Sequence, residues 1–356
     1  MKNKKIILIH KYNDFSGSTK VLSDIVRVIS GKRDYEILTC QNKKGFLSSF
    51  INRREILYFQ TDKIILNLIS YIFNQTLLFF YCFKYWNDDV IFYVNTIYPF
   101  GSALAGKIMG KKIYFHIHES SIKPIILKNF LFLMLNITSD KVVYVSKHLL
   151  NLDRIGLNKK TLIYNHTDNR SEFNSNKPVK NFKVLMVCSL KEYKGLIQFF
   201  EIATSIDEEK ISFSLVLNAS MIDINNFFNR RNIIIPSNVT LYDGRRNLKN
   251  FYSSASILLN LSQPDKWVET FGLTILEAMS FHCPVIVPPI GGPPEIVSDG
   301  VEGYTISCYD TYNIRKKILS LHLNRRLYKV MSIAAYNRSK FFSKKKFNDE
   351  ILRLFK

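Results

Sequence analysis

The stretch that decides the fold runs Ile257-Leu258-Leu259-Asn260-Leu261-Ser262-Gln263-Pro264-Asp265-Lys266-Trp267-Val268-Glu269-Thr270-Phe271-Gly272-Leu273-Thr274-Ile275-Leu276-Glu277-Ala278-Met279. Its first five residues form an apolar run that reads as a buried strand, and residues 262–268 read as a polar loop. From Phe271 onward the apolar residues fall at helical spacing. Pro284-Val285-Ile286-Val287 is the next strand, and Gly291, Gly292, Pro293 and Pro294 make a tight loop after it. Together they form a βαβ unit. Its loop and helix start lie at the carboxyl end of a strand, where open α/β sheets bind ligands.

The same alternation extends in both directions. Residues 5–10, 35–40, 90–95, 112–116, 141–145 and 161–164 form one series of candidate strands. A second series is 182–188, 213–218, 239–242, 257–261 and 284–287. Rich in Ile, Val and Tyr and without clean polar alternation, they read as strands of parallel sheets covered on both faces by helices. Residues 168–181 are polar with one Pro, the composition of a linker. The expected architecture is therefore α/β, with two Rossmann-like domains joined near residue 175. The first spans 1–175 and the second 176–335, and a helix within 336–356 packs back on the first.

The chain has 356 residues, enough for about two domains at roughly 150 residues each. A hydrophobic share of 47% beside 22% charged residues is that of a globular protein and excludes disordered and fibrous classes. The formal charge of +21 calls for an anionic partner: nucleic acid, a phosphorylated ligand or acidic lipid. Its basic pairs, such as Arg53-Arg54 and Arg230-Arg231, are dispersed, which disfavours a nucleic-acid footprint. The five cysteines sit at neither redox nor metal-ligand spacing, so reduced thiols and no structural zinc are expected. The four-residue apolar run after Lys4 and Lys5 is too short for a signal peptide, so a cytoplasmic protein is expected. Residues 64–83 are long and greasy, yet Asn67, Asn74 and Gln75 favour a buried or membrane-surface helix over a spanning one.

A helix beginning near Phe271 would turn the free N–H groups of Phe271, Gly272 and Leu273 toward an anion, with Gly272 allowing close approach. Glu269 precedes that helix, and Glu277 lies about 9 Å along it. Two carboxylates flanking an anion site are poor counter-charges for a diphosphate but good acceptors for hydroxyls on either side of it. A diphosphate with hydroxyls at both ends is a nucleotide sugar.

These residues resemble the E-x7-E signature of retaining glycosyltransferases of family four, which have the GT-B fold with parallel sheets facing a central cleft. Glu269-Thr270-Phe271-Gly272-Leu273, Glu277-Ala278-Met279, Gly291-Gly292, Glu295-Ile296-Val297, Gly300 and Gly303 follow the family pattern. The run from Val184 to Lys194-Gly195 is similar to the strand that opens the family's second domain, and Phe115-His116-Ile117-His118-Glu119 to its cleft-edge histidine. The resemblance implies Glu269, His118 and Lys194 as catalytic residues. Glu269 positions the donor sugar, Lys194 meets its diphosphate and His118 contacts the sugar. It implies Glu277 on the ribose. Phe271, Gly272, Leu273, Ser189, Gly17, Ser18 and Arg245 complete the donor site, and Glu119 lies on the acceptor side. Ser189 stands where many relatives carry arginine, and Arg245 is a candidate to replace that anchor. Gly17 and Ser18 are expected in a turn before the first helix.

The implied reaction is retaining transfer of a hexose from a UDP- or GDP-sugar to a glycan or undecaprenyl-linked glycan. The role is in surface polysaccharide assembly, such as O-antigen or capsule. No D-x-D pattern occurs, so no metal or other cofactor is expected. Peripheral contact with the anionic inner leaflet of the cytoplasmic membrane is expected through Lys2, Lys4, Lys5 and residues 71–86. The alternatives are a degenerate protein that binds nucleotide sugars without turnover, and a basic polyanion-binding protein.

Overall fold

The computed structural model describes residues 4–40, 44–57, 63–152, 156, 159–167, 181–207, 209–244 and 247–356. The chain forms two compact units, Met1–Tyr164 with Phe347–Lys356, and Asn165–Lys346. Most of the linker expected at 168–181 lies outside the described residues.

The first unit alternates β1 (Lys5–Ile9), α1 (Gly17–Ile29), β2 (Tyr35–Cys40), β3 (Arg53–Ile56), α2 (Ile64–Cys82), β4 (Val90–Asn95), α3 (Phe100–Ile108), β5 (Lys112–Ile117), α4 (Ile125–Thr138), β6 (Lys141–Tyr144), α5 (Lys147–Leu152) and β7 (Lys160–Leu162). Its sheet is parallel throughout, in the order β3-β2-β1-β4-β5-β6-β7. Every residue of β4 is buried, as are four of the five in β1, which is why these strands show no polar alternation. β3 escapes a reading from pattern because it is a charged edge strand, Arg53-Arg54-Glu55-Ile56, with only Ile56 buried.

The second unit runs β8 (Phe182–Cys188), α6 (Leu196–Ser205), β9 (Ile211–Leu217), α7 (Met221–Asn229), β10 (Val239–Asp243), α8 (Leu248–Ser254), β11 (Ile257–Leu259), α9 (Leu273–Met279), β12 (Val285–Val287), α10 (Pro293–Ile296), β13 (Gly303–Thr305), α11 (Thr311–Leu323) and α12 (Arg325–Ser339). This sheet is also parallel, in the order β10-β9-β8-β11-β12-β13. Its core joins Val184 and Met186 of β8, Phe199 of α6, Phe213 of β9 and Ile318 of α11. Both halves are thus doubly wound Rossmann-like α/β domains. β13 has three residues, and a side chain at Gly303 would strike the Val285 carbonyl, so only glycine lets it lie against β12.

The last helix, α13 (Lys344–Leu354), crosses from the second unit into the first. Beyond it, the Phe355 ring stacks over Tyr114 with centroids 6.1 Å apart and meets Tyr93 at 5.4 Å. Arg33 donates to the Phe355 carbonyl at 2.7 Å.

Two local expectations need correction. α9 starts at Leu273, not near Phe271, because Gly272 sits at φ +98 as its N-cap and the Phe271 ring is buried against Phe342. The residues expected to form a turn before the first helix, Gly17 and Ser18, are instead the first two residues of α1.

One face of α2 belongs to the core of the first unit. Asn74 donates to the Leu57 carbonyl at 2.7 Å, and the Gly101 amide donates to Gln75 at 3.1 Å. Its other face exposes Ile65, Ile69 and Phe73, and by length and composition alone the helix could cross a membrane. Lys4 and Lys5 are drawn into ion pairs, with Asp89 at 2.6 Å and Glu36 at 3.0 Å, which leaves them less available to lipid than expected. Lys2 lies outside the described residues.

Candidate functional site

In each sheet the strand order reverses beside the unit's first strand. The chain builds outward from β8 through β9 to β10, then returns to the other side of β8 with β11. The loops after β8 and β11 therefore diverge and leave an open carboxyl edge between them, the usual ligand position in such sheets.

Lys194 and Glu269 meet at that edge. The loop after β8 carries Lys194, and the loop after β11 carries Glu269, with Nζ to Oε2 at 2.8 Å. Ser262 completes the cluster, 3.4 Å from both Lys194 Nζ and Glu269 Oε2. Each side chain of the pair is less than one-fifth exposed. Burial raises the Glu269 carboxyl, but the Lys194 ammonium, with hydrogen bonds from Lys194, Asn260 and Ser262, outweighs it and holds the carboxyl below its ordinary value. Burial lowers Lys194, and Glu269 more than reverses this. Both groups are thus held charged. The Trp267 ring stacks on Tyr193 at 5.3 Å, and Lys194 Nζ lies 5.6 Å from the Trp267 centroid.

Glycines set the backbone of this edge. Gly195, at φ +82, turns the chain after Lys194, and a Cβ there would strike the Leu261 carbonyl. Gly291 and Gly292 lie so close to the Glu269 and Thr270 carbonyls that neither tolerates a side chain, and the Gly292 amide donates to the Glu269 carbonyl at 2.9 Å. The paired glycines hold the Glu269 loop in place from beneath.

Glu277, on the fifth residue of α9, is buried and accepts a 2.7 Å hydrogen bond from the Tyr252 hydroxyl of α8. With seven residues, α9 contributes little dipole, which weakens the anion role expected of the Phe271, Gly272 and Leu273 amides. Ser189 is half-buried just past β8, and its carbonyl accepts from the Lys191 amide. Arg245 lies outside the described residues. Burial pushes the neighbouring Cys188 thiol up to about 12, so it is no nucleophile at neutral pH.

The first unit repeats the arrangement, its strand order reversing between β1 and β4. His118, just past β5, places Nε2 3.0 Å from Asn95 Oδ1 at the end of β4. His116 lies beneath it, ring centroids 4.3 Å apart, fully buried and bonded to the Tyr93 hydroxyl at 2.8 Å. Burial pulls His116 down to about 3, a core residue, while His118 stands at the rim. Burial lifts the Glu119 carboxyl to about 7 against the opposing backbone N–H groups of His118, Glu119 and Ile97. Thr96 holds φ +77, a conformation that a β-branched residue seldom adopts. Ser18 accepts from Asn95 through its carbonyl, and Gly17 is exposed.

Sequence reading missed the supporting residues: Asn260, Ser262, Trp267 and Tyr252 in the second unit, and His10, Asp14, Asn95 and Lys11 in the first. Ser262 and Trp267 stood in the quoted loop, yet nothing in their spacing marks them. Lys11 Nζ lies 4.9, 4.5 and 5.3 Å from the rings of Tyr12, Tyr71 and Tyr98, and burial lowers its pKa to about 8. Tyr12 adjoins Lys11, but Tyr71 and Tyr98 are distant in sequence. Among the described residues no cluster of metal-ligating side chains occurs.

Lys194→Ala leaves a buried carboxylate without its cation and should cost about 3–5 kcal/mol in urea unfolding at pH 7. Because the Glu269 pKa is depressed on folding, the stability from the pair is present above the unfolded carboxyl value and lost as pH falls through the folded one. The gap between wild type and variant should therefore close in acid. A constant gap from pH 7 to pH 3 would contradict the ion pair.

Residues 167–338, just under half of the chain, match the family model of glycosyl transferases group 1. An uncharacterized glycosyltransferase of Methanocaldococcus jannaschii is 29% identical over 264 residues, which is 70% of this chain and 71% of that protein. Anabaena HepE, solved with UDP-glucose, superposes with a TM-score of 0.79 at 16% identity over 98% of both chains. The lipopolysaccharide outer core galactosyltransferase WaaB superposes at 0.67 with 18% identity, over 98% of this chain and 99% of that one. The chain has the two-domain GT-B fold of these glycosyltransferases over its whole length, and its second unit resembles the group 1 family in sequence.

Proposed function

We propose that the protein is a retaining glycosyltransferase of family four, which moves a hexose from a UDP- or GDP-sugar to a glycan or lipid-linked glycan. The observation that carries this reading is the buried Lys194–Glu269 pair at the strand-order reversal of the unit matched by the group 1 family. A diphosphate competes with Glu269 for the Lys194 ammonium. Lys194 then offsets charge on the leaving phosphate as the glycosidic bond breaks, and the released carboxylate accepts hydrogen bonds from the donor sugar. Held below the ordinary carboxylate range by Lys194, Glu269 suits that accepting role better than covalent attack. Glu277, oriented by Tyr252, accepts from the ribose. His118 meets the sugar and Glu119 the acceptor. The proposed role in surface polysaccharide assembly is supported by the likeness to WaaB. No step needs a metal.

A thermal-shift screen against UDP-, GDP-, ADP- and dTDP-sugars tests the reading, since a ligand of the native state raises Tm by mass action. One nucleotide class should raise Tm, and Glu277→Ala should abolish the shift. No shift with any of them at millimolar concentration would sink the transferase reading and favour a polyanion binder.

Contact with an anionic membrane is part of the proposal. It is supported by the exposed Ile65, Ile69 and Phe73 of α2 and Ile126, Leu133 and Ile137 of α4, with α3 packed between these helices. Lys63, Lys107, Lys123 and Lys128 lie within or next to these three helices in sequence. The protein should sediment with phosphatidylglycerol vesicles at low salt but not with phosphatidylcholine ones, and Ile69→Glu with Phe73→Glu should release it. Equal sedimentation with both lipids, or none, contradicts the contact.

A further inference from the structure

Beneath His118 a buried row of polar side chains runs to Asp14. Asp14 Oδ1 lies 2.6 Å from Thr19 Oγ1 and 2.6 Å from Ser16 Oγ, and accepts from the Ser16 amide at 3.0 Å. Thr19 Oγ1 is 3.0 Å from His10 Nε2, and His10 Nδ1 is 3.1 Å from Asn95 Nδ2. Asn95 Oδ1 closes the row, 3.0 Å from His118 Nε2. Thr19 and Asn95 are fully buried and His10 nearly so. The row links the loop after β1, the first turn of α1 and the ends of β4 and β5.

The donors and acceptors fix its direction. A carboxylate only accepts, so the 2.6 Å contact takes the Thr19 proton. The competing Tyr12 carbonyl is 3.5 Å away. Thr19 then accepts from His10, which places the His10 proton on Nε2. Burial keeps His10 neutral, although the Asn95 carbonyl and Asp14 oppose it, so its Nδ1 accepts from the Asn95 amide. The Asn95 carbonyl, 3.1 Å from that Nδ1, favours the opposite tautomer. The charge-assisted link at Asp14 is the shorter and stronger of the two.

A second anchor acts independently of His10. Asn95 Nδ2 donates at 3.2 Å to the Ser18 carbonyl, which can only accept. Both anchors turn Asn95 Oδ1 toward His118. Since an amide oxygen accepts, the proton between them belongs to His118 Nε2. Burial, helped by His116 and His10, keeps the His118 ring neutral. Its Nδ1 has no hydrogen-bond partner among the described residues.

We propose that Asn95 is a positioning residue that holds His118 as the Nε2–H tautomer, so that the ring presents a bound sugar with an acceptor, Nδ1, and no donor. The sugar group facing it must then donate a hydrogen bond. A hydroxyl fits, whereas a carboxylate or a deoxy carbon leaves the lone pair repelled or unpaired. The sugar part rests on the glycosyl-transfer reading; the tautomer does not.

The test is 15N NMR of the full chain labelled at histidine, at pH 7, where the two ring nitrogens give separate pyrrole-type and pyridine-type resonances. Wild type should show His118 with Nε2 protonated and Nδ1 bare. Asn95→Ala, which removes the acceptor, should give a mixture of both tautomers. His118 protonated on Nδ1 or on both nitrogens in wild type would overturn the proposal. So would an unchanged tautomer in an Asn95→Ala variant with native circular dichroism. If the tautomer is as expected while no nucleotide sugar raises Tm, the glycosyl-transfer reading falls and the positioning role stands.

Discussion

The reversal of strand order beside β1 and beside β8 is the constraint from which the chemistry of both units follows. A parallel strand flanked on both sides has its loops swept away by covering helices. Only where the order reverses do neighbouring loops part and leave backbone and side chains accessible at the carboxyl edge. The Lys194–Glu269 pair occupies that position in the second unit, and the Asn95–His118 contact occupies it in the first. Among the described residues neither sheet has another such reversal.

Both places gather polar groups that a folding core would otherwise reject. Burying an ammonium and a carboxylate is costly unless each is paired and bonded. The Glu269 loop meets that condition with Lys194, Ser262 and Asn260, and with glycines that let the loop sit close. In the first unit the same requirement is met by a row of hydrogen bonds ending on Asp14. In both places each buried polar group is held by its hydrogen-bond partners. The strained Thr96, next to Asn95, belongs to the same pattern of cost concentrated at a rim.

The central strands were legible because each is an unbroken apolar run: β2, β4 and β8 have the ends read from sequence. β3 was not, since its charges face solvent, and β13 was not, since three residues containing a glycine carry no periodicity. The start of α9 was misplaced by two residues because Phe271 continues the helical spacing, while its ring packs on Phe342 outside the helix. The spacing of Glu269 and Glu277 pointed to a site, but it could not reveal that Glu269 is paired with Lys194, 75 residues earlier, or that Tyr252 engages Glu277. His10, Asp14 and Asn95 carry no local signal at all. Their meaning arises only when β1 and β4 become neighbours.

The claim at the centre is that Lys194 exchanges its carboxylate partner for a diphosphate. Isothermal titration of a nucleoside diphosphate, and of the same nucleoside without phosphates, into wild type and Lys194→Gln tests it most directly. The variant should lose about tenfold or more in affinity for the diphosphate, a change of about 1.4 kcal/mol, and nothing for the bare nucleoside. Equal affinity of the two proteins for the diphosphate would contradict it.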